Sequence, residues 1–268
     1  MKTLNSIQHS NSKQIESGSL LTTIYHIAYE PSFKTATLHF WTQCNLHCLG
    51  CFCSYEQQYF NLFKDPVSKL NKGEKKNPPT RFLTIDAVIS HLSSIDVKNI
   101  LFMGTEPTLD NSLPLIAERL HNEFHTTNIL MTNGLRLIDL SHIDTVLFGI
   151  KTFSEDIHIQ YTGKSNRKIL ANFSDIHKLG KNISAISLLI PGFVENAEVE
   201  KIAAFISRVN PKIPFTIHSY FHVPGCEIRS ALPEEIDSAI DIAKEHLENV
   251  YGRNLSMKRV GEPAVVIV

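Results

Sequence analysis

Residues 35–51 read TATLHFWTQCNLHCLGC, an extended apolar run that breaks directly into a loop carrying three thiols. The run Thr35 to Trp41 is rich in β-branched and aromatic residues and too short for a stable helix, so a strand is expected there. The loop that follows places Cys44, Cys48 and Cys51 in a three-then-two spacing. Thiols this close along the chain meet at one centre only if the backbone wraps around it, and Gly50 permits the angles such wrapping needs. Soft sulfur donors select zinc, copper(I) or iron-sulfur clusters over hard cations. Two readings of these residues stand side by side. One is an iron-sulfur cluster with three protein thiolates, leaving one iron open to bind a substrate. The other is a zinc staple closed by Cys53 or His47.

Outward from this loop the pattern becomes a repeat of strand and helix. Apolar runs at Asn99 to Met103, Asn128 to Thr132, Thr145 to Ile150, Ile183 to Ile190 and Phe215 to Tyr220 have the length and composition of short buried strands. Between them lie helical spacings. Ile85, Val88, Ile89 and Leu92 follow a Thr84 cap; Ile169, Leu170, Phe173, Ile176 and Leu179 precede Gly180; and Val199, Ile202, Ala203 and Ile206 follow Asn196. The fold class is therefore α/β, with six such units forming either a partial barrel or an open doubly wound sheet. In both, the strand C-terminal ends carry the chemistry. Residues 1–34, rich in Ser, Asn and Gln, are expected to be an arm outside a single core domain spanning 35–250. Residues 54–81, centred on KLNKGEKKNPP, are expected to be a surface insertion, and 251–268 a tail.

Composition narrows the class. The chain has 268 residues, 43% of them hydrophobic, and 26 basic residues balance 27 acidic ones. A near-neutral chain of this kind gives no reason to expect nucleic acid or an anionic membrane as the partner. No apolar run reaches the length of a membrane span, and the amino-terminal residues lack the apolar stretch of a signal peptide. Five cysteines, four of them between positions 44 and 53, suit a metal site in the reducing cytoplasm better than a disulfide framework.

The CxxxCxxC loop after the first strand resembles the hallmark of the radical S-adenosylmethionine superfamily. Gly104-Thr105-Glu106-Pro107, after the next strand, resembles that family's glycine-glycine-glutamate-proline motif. The resemblance implies a partial (β/α)6 barrel holding a 4Fe-4S cluster on Cys44, Cys48 and Cys51. The open iron would chelate S-adenosylmethionine, whose reductive cleavage yields methionine and a 5'-deoxyadenosyl radical. Gly104, Thr105 and Glu106 would seat the methionyl amine, because an ammonium offers three donors that need acceptors.

MTNGL (Met131 to Leu135), PGF (Pro191 to Phe193) and SYFHVPG (Ser219 to Gly225) are similar to segments of the activating enzymes for glycyl radical enzymes, of the pyruvate formate-lyase-activating type. That similarity implies that Thr132, Asn133, Lys151 and His222 line the cofactor site. It also implies a partner enzyme whose backbone glycine receives the radical, and a ferredoxin or flavodoxin as electron donor. Modification of a peptide or metabolite is the alternative chemistry, and a zinc-stabilised binding module the alternative class. Three departures stand out. Gly50 and Phe52 exchange the family's usual aromatic position before the third cysteine, Thr105 replaces a glycine, and Met131 and Gly149 stand where carboxylates commonly hold a monovalent cation. The cation site is expected to be absent or differently built. Cys53 and Cys226 carry no assigned role.

Overall fold

The computed structural model describes residues 19–51, 53, 77–253 and 261–268. Nine strands form one sheet in the order β8-β7-β6-β5-β4-β3-β2-β1-β9. The strands are β1 (Ile24–Glu30), β2 (Thr35–Phe40), β3 (Asn99–Gly104), β4 (Thr127–Thr132), β5 (Thr145–Gly149), β6 (Asn182–Leu189), β7 (Phe215–Ser219), β8 (Val250–Arg253) and β9 (Val265–Val266). From β2 to β8 every neighbouring pair is parallel. Among the described residues the two end strands do not pair with each other, as in a partial, unclosed barrel.

Among the described residues six α-helices lie against the sheet: α1 (Ile85–Leu92), α2 (Leu113–Phe124), α3 (Glu155–Thr162), α4 (Arg167–Lys178), α5 (Asn196–Val209) and α6 (Pro233–Lys244). The expected Thr84 cap forms, its hydroxyl accepting from the Ala87 amide at 3.2 Å. Gly163 ends α3 in the left-handed region at φ 74°. Alternation within strands separates the two faces. In β5, Val146 and Phe148 are fully buried under the helices, while Thr145, Leu147 and Gly149 face the other way and are half-buried. Phe148 meets Phe173 of α4 edge to face, 5.1 Å between centroids. One continuous apolar cluster runs from Ile24 to Leu247.

The core begins earlier than the sequence pattern places it. Ile24–Glu30 is a sheet strand, antiparallel to β2, so the expected arm ends before it. The expected tail also enters the sheet, with β8 at one edge and β9 beside β1 at the other. The burial of β1 does not alternate cleanly and the tail strands are short, so it is pairing with β2, and for the tail with β7 and β1, that orders these segments. Most of the expected insertion, 54–76, and Phe52 lie outside the described residues. Between β4 and β5 no helix intervenes among the described residues, and the chain crosses by the turn that starts at Asn133.

Candidate functional site

The parallel sheet brings the loops after β2, β3, β4, β5 and β7 to one rim. The loop after β2 carries the cysteines and is fastened to its neighbours through its backbone. His47 N–H donates to the Thr162 carbonyl and Leu49 N–H to the Tyr161 carbonyl, each at 2.9 Å, so the loop rests on the end of α3. Gly50 sits at φ +63°, and a Cβ there would stand 2.1 Å from the Tyr220 hydroxyl and 3.0 Å from Cys226 Sγ. This gives the physical reason for one departure: Tyr220, from the loop after β7, fills the space that an aromatic at position 50 would need.

The four thiols of this loop share one electrostatic environment. Burial raises Cys44 and pushes Cys48 up to about 11. Cys51 moves the other way, to about 6, because the Cys53 thiol donates a hydrogen bond to its sulfur. The Lys151 ammonium, at the end of β5, opposes proton binding at all four. Its Nζ lies 3.9 Å from the place a Cβ would occupy on Gly149, so the absent side chain there leaves room for the lysine. A cation facing a loop of thiols favours the thiolate form that metal binding requires.

The GTEP turn is stitched to the cysteine loop by Thr42, a residue that sequence motifs do not single out. The Thr42 amide donates to Thr105 Oγ1 at 2.8 Å, Thr105 Oγ1 donates to the Thr42 carbonyl at 2.6 Å, and the Thr42 hydroxyl donates to the Glu106 carbonyl at 2.8 Å. Thr105 thus gains two anchors that a glycine would lack. Gly104, at φ +139°, has no space for a side chain, since a Cβ would lie 2.1 Å from the Phe40 carbonyl oxygen.

Glu106 is buried, and its carboxylate faces the protein rather than solvent. Oε1 accepts from the Thr108 amide (3.2 Å), the Thr108 hydroxyl (2.5 Å) and the Thr132 hydroxyl (2.7 Å), and Oε2 accepts from the Asn133 amide (2.8 Å). Only Oε2 retains room for a further donor. Thr132 and Asn133 are therefore drawn to the site by Glu106. Asn133 continues the link, its Nδ2 lying 2.7 Å from Asn45 Oδ1 and 3.6 Å from Cys44 Sγ.

Cys44, Cys48, Cys51, Gly104, Thr105, Glu106, Thr132, Asn133 and Lys151 are brought to this rim. His222, on the loop after β7, is exposed and bonded within that loop, its Nδ1 3.1 Å from the Ile228 carbonyl and its amide donating to Ser230, whereas Tyr220 and Cys226 of the same loop stand against Gly50. His218 is a further half-buried group near Lys151, with its imidazole lowered to about 4 by burial, Arg253 and Lys151 in that order. Its position on alternate β7 residues was readable, but nothing local marked it as functional.

The donor chemistry fits an iron-sulfur cluster: three thiols on one wrapped loop, a cation beside them and a glycine-lined turn with backbone oxygens alongside. Among the described residues no three His, Cys, Asp or Glu side chains converge as they would around a single ion, and His47 is exposed.

The model of the Radical SAM superfamily matches residues 38–206. A protein of Methanocaldococcus jannaschii, whose assigned name of glycyl-radical enzyme activating enzyme is itself provisional, is 31% identical over 199 residues, 69% of this chain and 76% of that protein. The trans-4-hydroxy-L-proline dehydratase activating enzyme of Clostridioides difficile is 43% identical over 70 residues, 25% of this chain and 23% of that one. Among solved structures, SuiB of Streptococcus suis bound to S-adenosylmethionine aligns with a TM-score of 0.58 at 14% identity, over 93% of this chain and 55% of that one. QueE of Escherichia coli aligns at 0.56 and 8% identity, over 90% and 98%. These two likenesses speak for the fold alone. With more than half of its length matched by the family model and the thiol loop and GTEP turn at one rim, the chain belongs to the radical SAM superfamily, whose members use a 4Fe-4S cluster to cleave S-adenosylmethionine reductively.

Proposed function

We propose that Cys44, Cys48 and Cys51 hold the cluster and that the chain activates a partner enzyme by generating a glycyl radical on it. Held there, a 4Fe-4S cluster would supply the low-potential electron needed for reductive cleavage of the cofactor's sulfonium. The protein's own groups orient that event. The Gly104 and Thr105 carbonyls, with the free lone pair of Glu106 Oε2, accept the methionyl ammonium. Lys151 meets the negative charge of the thiolates and of the cofactor carboxylate. Thr132 and Asn133, tied to Glu106, hold the neighbouring wall. His222 serves the outer loop rather than the cofactor. With Met131 and Gly149 in place of carboxylates and Lys151 beside the latter, turnover needs no monovalent cation. Five free cysteines suit a reducing cytoplasm, and a low-potential donor of the ferredoxin or flavodoxin kind supplies the electron.

The observation that carries this reading is the direct fastening of the thiol loop to the GTEP turn through Thr42 and Thr105. The 31% identity to a protein named for glycyl-radical activation supports the choice of partner. Anaerobic reconstitution with iron and sulfide should give a brown protein that releases 5'-deoxyadenosine under reduction, and Cys48→Ala should lose both. Equal release by Cys48→Ala would overturn the assignment. With the partner present, a persistent glycyl signal in electron paramagnetic resonance is expected. Movement of a labelled methyl group from cofactor to product would instead establish a different transformation.

A further inference from the structure

We propose that Asn133 sets the reduction potential of the cluster by donating a hydrogen bond to the sulfur of Cys44, and that Asn45 is the positioning residue that aims it. The inference deepens the proposed function and rests on Cys44 being a cluster ligand. The Asn133 amide group has two N–H donors and a fixed orientation. Its Oδ1 accepts from the Leu135 amide at 2.9 Å, which places Nδ2 on the opposite side. One N–H reaches Asn45 Oδ1 at 2.7 Å, and the other is left for Cys44 Sγ at 3.6 Å. The backbone beneath is held by its own bond to Glu106 Oε2 at 2.8 Å, and the next peptide by Asn172, whose Nδ2 donates to the Gly134 carbonyl at 2.7 Å. A donor this constrained in a buried setting acts as part of the sulfur's environment. The Leu46 amide is a second donor to the same sulfur at 3.5 Å, so Cys44 receives two.

The sign follows from charge. Reduction adds one electron to the cluster and its thiolates, and an N–H aimed at a ligating sulfur stabilises the more negative form, which raises the potential. Removing the donor makes the cluster harder to reduce. Cys44 is thereby distinguished from Cys48 and Cys51, for which no side-chain amide donor is found among the described residues.

The test is a dye-mediated redox titration of the reconstituted protein without S-adenosylmethionine, followed by electron paramagnetic resonance of the reduced cluster. Asn133→Ala should retain the iron and sulfide content of the unaltered protein. Its midpoint should move to more negative potential, lowering the reduced fraction at a fixed poise by up to about tenfold, equivalent to about 59 mV for a one-electron couple. Asn45→Ala, which keeps the donor but frees its direction, should move the midpoint the same way and less. Asn172→Ala loosens the same turn without touching sulfur and should leave the midpoint in place. An unchanged midpoint in both Asn133→Ala and Asn45→Ala would overturn the proposal, as would an equal shift in Asn172→Ala. If Asn133→Ala fails to assemble a cluster, Asn45→Ala decides alone. Absence of any cluster in the unaltered chain would instead overturn the assignment of the thiols.

Discussion

Glu106 organises the rim chiefly through contacts within the protein. Both of its oxygens face a backbone N–H, Oε1 that of Thr108 and Oε2 that of Asn133. A backbone N–H cannot reverse its role as a hydroxyl can. In Glu106→Gln, whichever way the amide turns, its NH2 group meets a buried donor head-on. An unsatisfied buried donor costs about 1–3 kcal/mol, so the unfolding free energy should fall by that amount, lowering the urea midpoint, while the fold persists. An unchanged midpoint would mean that the carboxylate is not what ties the turn after β4 to the turn after β3. The residues that carry motif chemistry were readable along the chain because each motif is local. Their partners were not. Thr42 meets Thr105 across 63 positions and Asn133 meets Asn45 across 88, and no periodicity connects residues so far apart.

Among the elements, the turns decide more than the helices. Gly134 and Gly180 both adopt positive φ, at 72° and 73°. They differ in what surrounds them. A Cβ on Gly180 would meet nothing within 4 Å, whereas one on Gly134 would lie 1.9 Å from the Phe148 ring, itself pinned against Phe173. Gly180→Ala should therefore cost only the backbone term, about 1–2 kcal/mol. Gly134→Ala should cost that plus overpacking of about 1–3 kcal/mol. Chemical denaturation of the two variants measures the difference, and equal losses would show that Phe148 yields freely. The strands of β3 to β7 and the helices α1, α4 and α5 were legible because each presents several buried residues at one period. The strands β8 and β9 were missed because four and two residues carry too few alternations to be told from loop, and β1 because its burial does not alternate cleanly along the strand.

For the molecule as a whole, the most distant pairing closes one edge of the sheet. Ile267 N–H donates to the Ile27 carbonyl at 2.8 Å and Ile27 N–H to the Val268 carbonyl at 2.9 Å. Pairing a segment near position 266 with one near position 28 covers β1, whose exposed edge would otherwise invite association. Ile267→Pro removes one donor from this ladder and leaves the Ile27 carbonyl unpaired. A loss of about 1–3 kcal/mol in unfolding free energy and a greater tendency to associate are expected, read by denaturation and light scattering. Unchanged values in both would mean that β9 contributes nothing to the edge.

The amino-acid sequence by itself determined the class of chemistry and the α/β repeat. Thiol spacing, the glycine-lined GTEP turn and the apolar periods are properties of neighbouring residues, and short-range sterics and hydrophobic burial act on neighbours. Only the tertiary structure decided which side chains meet at the rim. It bonded His222 within its own loop, put Tyr220 against Gly50, and aimed the Asn133 amide at Cys44. The reason is geometric: seven parallel strands gather loops from across the chain at one end, and the bonds made there depend on strand order and register, which no single segment encodes.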